Sequence, residues 1–180
     1  MKGSLTVITG PMFSGKSTEL IHRLRMHGII RSSVGAFKSS LDDRYNATDI
    51  TTHSNVTYPC ITVSNPKQLL EYSTKHQYEV MGLDEAQFLG DTLPPIIQEL
   101  VQNGTQVYIA GLSRDARNRP FGVMPQMLEM ADQVIHLSAK CSVCEAPATH
   151  TYRSTPLLST ISVGASEYEA RCESCWSDCG

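Results

Sequence analysis

The octapeptide Gly10-Pro11-Met12-Phe13-Ser14-Gly15-Lys16-Ser17 matches G-x-x-x-x-G-K-[ST] and restricts the fold more than any other feature. Such a loop works only where a buried strand meets a helix. Its backbone N–H groups must converge on phosphate oxygens at the helix N-terminus. The flanking residues fit. Leu5-Thr6-Val7-Ile8-Thr9 is a β-branched run that reads as a strand. From Ser17 to His27, Leu20, Ile21 and Leu24 recur at helical spacing, and Gly28 stands where a C-cap belongs.

The same alternation continues. Val34 to Lys38, Tyr58 to Val63, Val80 to Leu83, Gln106 to Ala110 and Val134 to Leu137 read as strands. Helical patterns run from Pro66 through Leu69, Leu70 and Tyr72, from Pro94-Pro95 to Asn103-Gly104, and from Met124 to Met130. Residues 39–57 read as polar and irregular. Strands alternating with helices predict an α/β fold: a parallel sheet covered on both faces. The alternation stops after Leu137, which divides the chain into a nucleotide-binding domain over 1–138 and a Cys-rich domain over 139–180. At 180 residues with 41% hydrophobic and 18% charged, a folded core needs no disulfide scaffold. A net charge of −3 argues against wrapping nucleic acid. The N-terminal apolar run is too short for a signal peptide and no stretch is long enough for a membrane helix, so a cytoplasmic location is expected.

In the loop, Lys16 is placed to reach the β/γ-phosphates and the Ser17 hydroxyl to bind Mg²⁺. Such a site needs a second carboxylate on the metal side, at the end of a neighbouring strand. Asp84 closes the Val80–Leu83 run, and Glu85 follows it. Successive side chains of an extended segment diverge, so Asp84 can face the metal while Glu85 faces an acceptor. Water as acceptor makes an ATPase and an alcohol makes a kinase; these residues allow both.

Five of the six cysteines lie between Cys141 and Cys179. Cys141-x₂-Cys144 and Cys172-x₂-Cys175 are two knuckles whose thiolates can complete a closed tetrahedral Zn²⁺ site. Cys60 and Cys179 are left without a role. Beyond Ala139 the acids Glu145, Glu167, Glu169, Glu173 and Asp178 outweigh Lys140, Arg153 and Arg171, which disfavours a nucleic-acid ribbon.

Several segments together carry a closer likeness. Gly10 to Leu20, Asp42-Asp43-Arg44-Tyr45, Leu83-Asp84-Glu85-Ala86-Gln87-Phe88, Arg119-Pro120-Phe121-Gly122 and the two cysteine pairs occur in the order found in thymidine kinases of the cellular, bacterial and poxvirus type. The chain resembles that family over nearly its whole length. The resemblance implies a RecA-like P-loop core with a small Cys₄ zinc domain, whose residues 145–171 form a lasso over the nucleoside. It implies transfer of the γ-phosphoryl group of ATP to the 5′-hydroxyl of thymidine with Mg²⁺, with deoxyuridine also accepted. Glu85 would be the general base, with Lys16 and Arg44 at the transferred phosphate. Gly10, Pro11, Met12, Phe13, Ser14, Gly15, Ser17, Thr18, Asp42, Asp84 and Gln87 would serve ATP and Mg²⁺. Thymine would be read by Ser159, Thr160, Ile161, Ser162, Val163 and Gly164 with Tyr168, and its surroundings formed by Met12, Phe88, Leu112 and Thr151. The family also implies a homotetramer and feedback inhibition by thymidine triphosphate. A RecA-like P-loop ATPase in DNA processing is the alternative. One departure concerns the base: Ser113 and Ala116 stand where the family usually has Asp and Phe. An Ala offers no ring face. Asp115 is a candidate substitute for the missing acid.

Overall fold

The computed structural model describes residues 3–30, 33–41, 48–52, 55–154 and 167–177. In chain order its elements are β1 (Ser4–Thr9), α1 (Lys16–Ile29), β2 (Val34–Ser39), β3 (Asp49–Thr51), β4 (Thr57–Pro59), β5 (Ile61–Val63), α2 (Lys67–His76) and β6 (Val80–Asp84). A 3₁₀ turn at Ala86–Phe88 follows, then α3 (Leu93–Gln102), β7 (Gln106–Gly111), α4 (Met124–Met130) and β8 (Gln133–His136). The C-terminal part holds β9 (Ala139–Lys140), β10 (Pro147–Ala148), β11 (His150–Arg153), β12 (Tyr168–Arg171) and α5 (Glu173–Ser177).

Six strands form one sheet in the order β5-β2-β6-β7-β1-β8, and every pairing in it is parallel. The alternation of side chains explains its two faces. Ile8, Ala36, Tyr108 and Ala110 pack with Leu20, Ile21 and Leu24 of α1 and Ile50 of β3. Their neighbours Val7, Phe37, Leu83 and Ile109 pack on the other face with Leu69 of α2, Ile97 and Leu100 of α3, and Met124 and Met127 of α4. Burying a Leu, Ile, Phe or Met side chain fully is worth about 1.5–3 kcal/mol, so these two layers carry the stability of the core. The predicted parallel sheet with helices on both faces is what the structure shows.

Three local readings differ from expectation. Residues 39–57 are not wholly irregular, because β3 and β4 pair antiparallel, Asp49 opposite Pro59 and Thr51 opposite Thr57. The run Tyr58–Val63 is not one strand. It breaks at Cys60, with β4 on the small hairpin and β5 on the main sheet beside β2. The chain must change partner there, and Cys60 N donates to Thr48 O at 2.8 Å. Gly28 lies inside α1, which ends at Ile29 with Ile30 as its cap, because the backbone N–H of Ile30 reaches Gly28 O.

The C-terminal part is two antiparallel pairs, β9–β10 and β11–β12, with α5 against the second. Its apolar centre is small: Cys141, Ala148 and Ala170, with Ala139, Cys172 and Cys175 around them. Within the interval 145–171, expected as a loop, the described residues include β10, β11 and β12. Only 155–166 lies outside the described residues. Ser154 N donates to Glu167 O at 2.9 Å, and Arg153 Nη2 meets Glu167 Oε2 at 3.0 Å, so the neck of that segment is stitched shut. No helix among the described residues is long and apolar enough to cross a membrane.

Candidate active site

The phosphate loop joins β1 to α1 at the carboxyl end of the sheet, where parallel α/β sheets bind ligands. Gly15 takes φ 83 as the N-cap of α1, a left-handed turn that suits glycine. A Cβ on Gly10 would lie 2.4 Å from Leu137 O, so the loop passes too close to the end of β8 for any side chain. Lys16 Nζ donates to Pro11 O at 2.7 Å and keeps its charge over the loop. Ser14 Oγ is buried with no hydrogen-bond partner. A buried hydroxyl without a partner is costly, and a phosphate oxygen would satisfy it. This is the structural sign that the loop is shaped for an anion.

β6 lies two strands from β1, with β7 between them. Asp84 ends β6, is buried, and accepts from Ser17 Oγ at 2.8 Å and from Glu85 N at 3.1 Å. Its carboxyl is pushed up to about 7, first by burial and then by the neighbouring Glu85 charge, against the Ser17 and backbone hydrogen bonds and Lys16. A buried carboxylate and a hydroxyl in this contact fit a divalent cation, which would relieve the burial of the charge.

Glu85 takes a left-handed backbone, φ 53, at the cap of the 3₁₀ turn. The expected divergence of an Asp-Glu pair rested on an extended segment, whereas β6 ends at Asp84 and Glu85 is left-handed, with both acids lining the same cleft. Such a conformation costs a non-glycine residue roughly 1 kcal/mol or more and persists where surroundings over-determine it. Gln87 provides that constraint. It is buried, its Nε2 donates to Glu85 Oε2, and its Oε1 accepts from Leu112 N at 3.2 Å. Gln87 therefore ties Glu85 to the end of β7.

Met12, Phe13, Gly15, Lys16, Ser17, Thr18, Asp84, Glu85 and Leu112 line one cleft, so residues expected at donor and acceptor meet there. Phe88 is beside it in sequence and packs edge-on against Phe121, ring centroids 5.6 Å apart. The C-terminal part joins the cleft through Thr151 on β11, whose Oγ1 accepts from Met12 N at 3.0 Å in a buried bond. Tyr168, at the start of β12, lies under the Arg153 guanidinium, 5.6 Å from its ring centroid. Asp42, Arg44, the stretch from Ser159 to Gly164, and Cys179 lie outside the described residues.

Asp115 does not stand in for the missing acid. It accepts from Arg117 N, Arg119 N and the Arg119 guanidinium at 2.7–2.9 Å, closing its own hairpin. Ala116 is met instead by Trp176 of α5, whose Nε1 donates to Ala116 O at 3.4 Å while its ring stacks on His150. The sequence reading missed Lys38, Asp49, Ile50, Thr51 and Thr52, which also line the cleft. Lys38 carried a legible signal, a cation closing an apolar strand at the ligand-binding edge. The β3 residues carried none, because their position comes from a hairpin folding back over the sheet.

Cys141, Cys144, Cys172 and Cys175 bring their sulfurs within 4.8 Å of one another. Backbone N–H groups of Cys144 and Cys172 lower Cys141 to about 6, while hydrogen bonds with the Cys172 and Cys144 thiols push Cys175 up to about 12. Four thiols this close cannot all ionise without a cation among them. An all-sulfur tetrahedral set fits structural zinc.

A family model described as thymidine kinase matches residues 3–176. A thymidine kinase of Coprothermobacter proteolyticus is 46% identical over 180 aligned positions, covering 94% of this chain and 88% of the relative. One of Deinococcus radiodurans is 42% identical over 160, covering 84% and 76%. Among solved structures, the flagellar accessory protein FlaH of Methanocaldococcus jannaschii aligns with TM-score 0.53 and 15% identity over 75% of this chain and 71% of that one. The genome packaging NTPase B204 of Sulfolobus turreted icosahedral virus 2, in complex with ATP-gammaS, aligns with TM-score 0.51 and 15% identity over 76% and 75%. These last two share the fold alone. The family model spans the segments that build the cleft and the cysteine cluster, and the chain belongs to the thymidine kinase family.

Proposed function

We propose that the protein transfers the γ-phosphoryl group of ATP to the 5′-hydroxyl of thymidine, with deoxyuridine as a second acceptor, in nucleotide salvage. The observation that carries this reading is the shared cleft. Lys16, Ser17 and Asp84 line it beside Glu85, and Met12 and Leu112 add an apolar wall suited to a base. Phosphoryl transfer is mainly positioning and charge neutralisation. The phosphate loop, residues 10–18, orients the donor through its N–H groups, Lys16 and Ser14. Ser17 and Asp84 would hold Mg²⁺, which would supply charge neutralisation at the phosphate oxygens. Glu85 takes the proton of the 5′-hydroxyl as the O–P bond forms and the bond to the β-phosphate oxygen breaks, leaving ADP. Gln87 serves ATP and metal indirectly, by holding Glu85. Family likeness alone assigns Arg44 to the transferred phosphate, Asp42 to the metal's water shell, and Ser159 to Gly164 to thymine with Tyr168, Thr151 and Phe88.

The remaining proposals follow the family. Residues 139–180 are a zinc-held domain beside the nucleotide-binding domain, four chains assemble, and thymidine triphosphate inhibits. The ATPase alternative has only fold likeness behind it. One assay tests the reading: labelled ATP with thymidine, deoxyuridine, deoxycytidine or DNA, scored for nucleoside monophosphate and free phosphate. Monophosphate from thymidine is expected. Free phosphate stimulated by DNA and indifferent to nucleosides would overturn it.

A further inference from the structure

β2 ends in Phe37-Lys38-Ser39, and all three are buried, Lys38 to 2% exposure. Phe37 faces the α2 and α3 side and Ala36 the α1 side, so Lys38 projects to the α1 side. Its register partner across β6 is Asp84. Both line the cleft with Lys16, Ser17 and Glu85. Lys38 Nζ donates to Asp49 O at 3.0 Å, which fixes the ammonium under β3 at the carboxyl edge of the sheet.

Lysine is almost never fully buried unless paired. Lys38 has interactions beyond its bond to Asp49 O, and it also lines the cleft. An apolar side chain of the same length would fill this position without the desolvation of an ammonium. The described acids lining the cleft are Asp49, Asp84 and Glu85, and the described cations are Lys16 and Lys38. A polyphosphate adds several more negative charges to that space. Lys16 answers them from the loop after β1. Lys38 stands on β2, separated from β1 by β6 and β7, so its charge enters from the opposite flank.

We propose that Lys38 is a further catalytic residue, whose ammonium contacts the terminal phosphoryl group of the donor and neutralises charge on its oxygens from the β2 side. The bond to Asp49 O orients it. The catalytic part rests on the kinase reading above, whereas the contact with polyphosphate does not depend on what accepts the phosphoryl group.

The test compares the full chain with Lys38→Met, similar in length but uncharged, and Lys38→Gln, which keeps a donor for Asp49 O. Two quantities are read: affinity for inorganic tripolyphosphate with Mg²⁺, by calorimetry, and kcat with thymidine. Both variants are expected to bind tripolyphosphate about tenfold more weakly and to lose about 100-fold in kcat, with KM for thymidine within about threefold of wild type. Unchanged tripolyphosphate affinity in a folded variant would overturn the proposal, even if kcat fell, because Lys38 would then only brace β3. If Lys38→Met does not fold, Lys38→Gln decides by the same affinity. A wild type that binds tripolyphosphate but phosphorylates no nucleoside would overturn the kinase reading instead.

Discussion

Asp84 and Glu85 are adjacent in sequence but meet different surroundings. Burial and the Glu85 charge hold the Asp84 carboxyl at about 7 in the fold. In the unfolded chain an Asp titrates near about 4. The folded state therefore binds the extra proton between those values, and the stability of the ligand-free protein falls as pH rises through that window. Asp84→Asn removes the charged form while keeping partners for Ser17 and Glu85 N. The variant is expected to match wild type near the acid end. At pH 8 it should be more stable by on the order of 1–3 kcal/mol. Denaturant melts without added Mg²⁺ measure this, and parallel curves for the two proteins would contradict burial as the cause. With Mg²⁺ and ATP present, the wild type gains stability and Asp84→Asn gains little.

Glu85 leads to a kinetic expectation. Removing a general base typically costs about 10²–10⁴-fold, so Glu85→Gln should abolish most of kcat while thymidine still binds. Calorimetry alongside steady-state kinetics checks both halves; full turnover would remove Glu85 from the role of base. The position of the two acids was legible in the sequence, because they close an apolar strand run, and the structure places both in the cleft. The clamp on Glu85 was not. Gln87 reaches Leu112 N at 3.2 Å across 25 positions of sequence, a contact made only when β6 and β7 pair.

At the scale of elements, β11 is held to the phosphate loop by one buried bond, Met12 N to Thr151 Oγ1. Thr151→Val keeps the shape and leaves that N–H without a partner. The expected loss is about 1–3 kcal/mol of stability, with a raised KM for ATP because the loop loses its brace. A folded Thr151→Val with unchanged stability and KM would show that water replaces the hydroxyl.

The four-cysteine cluster fits structural zinc, and the hairpins around it are expected to depend on that metal for a different reason. Among the described residues the buried core there is Cys141, Ala148 and Ala170, too little apolar surface to hold two short hairpins. Cys141→Ser is therefore expected to lose zinc, measured by metal analysis, and to raise KM for thymidine while ATP-loop residues stay folded. A wild type free of zinc would refute the site. The four clustered cysteines could be read from their spacing, since a knuckle is a local structure. The β3–β4 hairpin could not, because its three-residue strands form only where α1 and the sheet give Ile50 a place to be buried.

At the scale of the whole molecule, the exposed apolar residues Met26, Ile29 and Ile30 lie at the end of α1. They add a local reason to test the proposed tetramer. Sedimentation at a fixed protein concentration, with and without thymidine triphosphate, is expected to give a particle of four chains. A monomer at micromolar concentration would remove assembly from the proposal.

The sequence by itself determined the strand-loop-helix cradle, the alternation that makes a parallel sheet, the Asp-Glu pair and the four thiols. Each depends on residues close together in the chain, where backbone geometry and side-chain period act directly. Tertiary structure decided the rest. The strand order β5-β2-β6-β7-β1-β8 brings Asp84 to Ser17 and sets Lys38 beside Asp84. It also brings Leu112 N to Gln87, whose amide holds Glu85, and Thr151 to Met12. Most of these contacts join residues far apart in sequence. They exist only after burial of the two apolar faces has fixed which strand lies beside which, and local propensity carries no record of that choice.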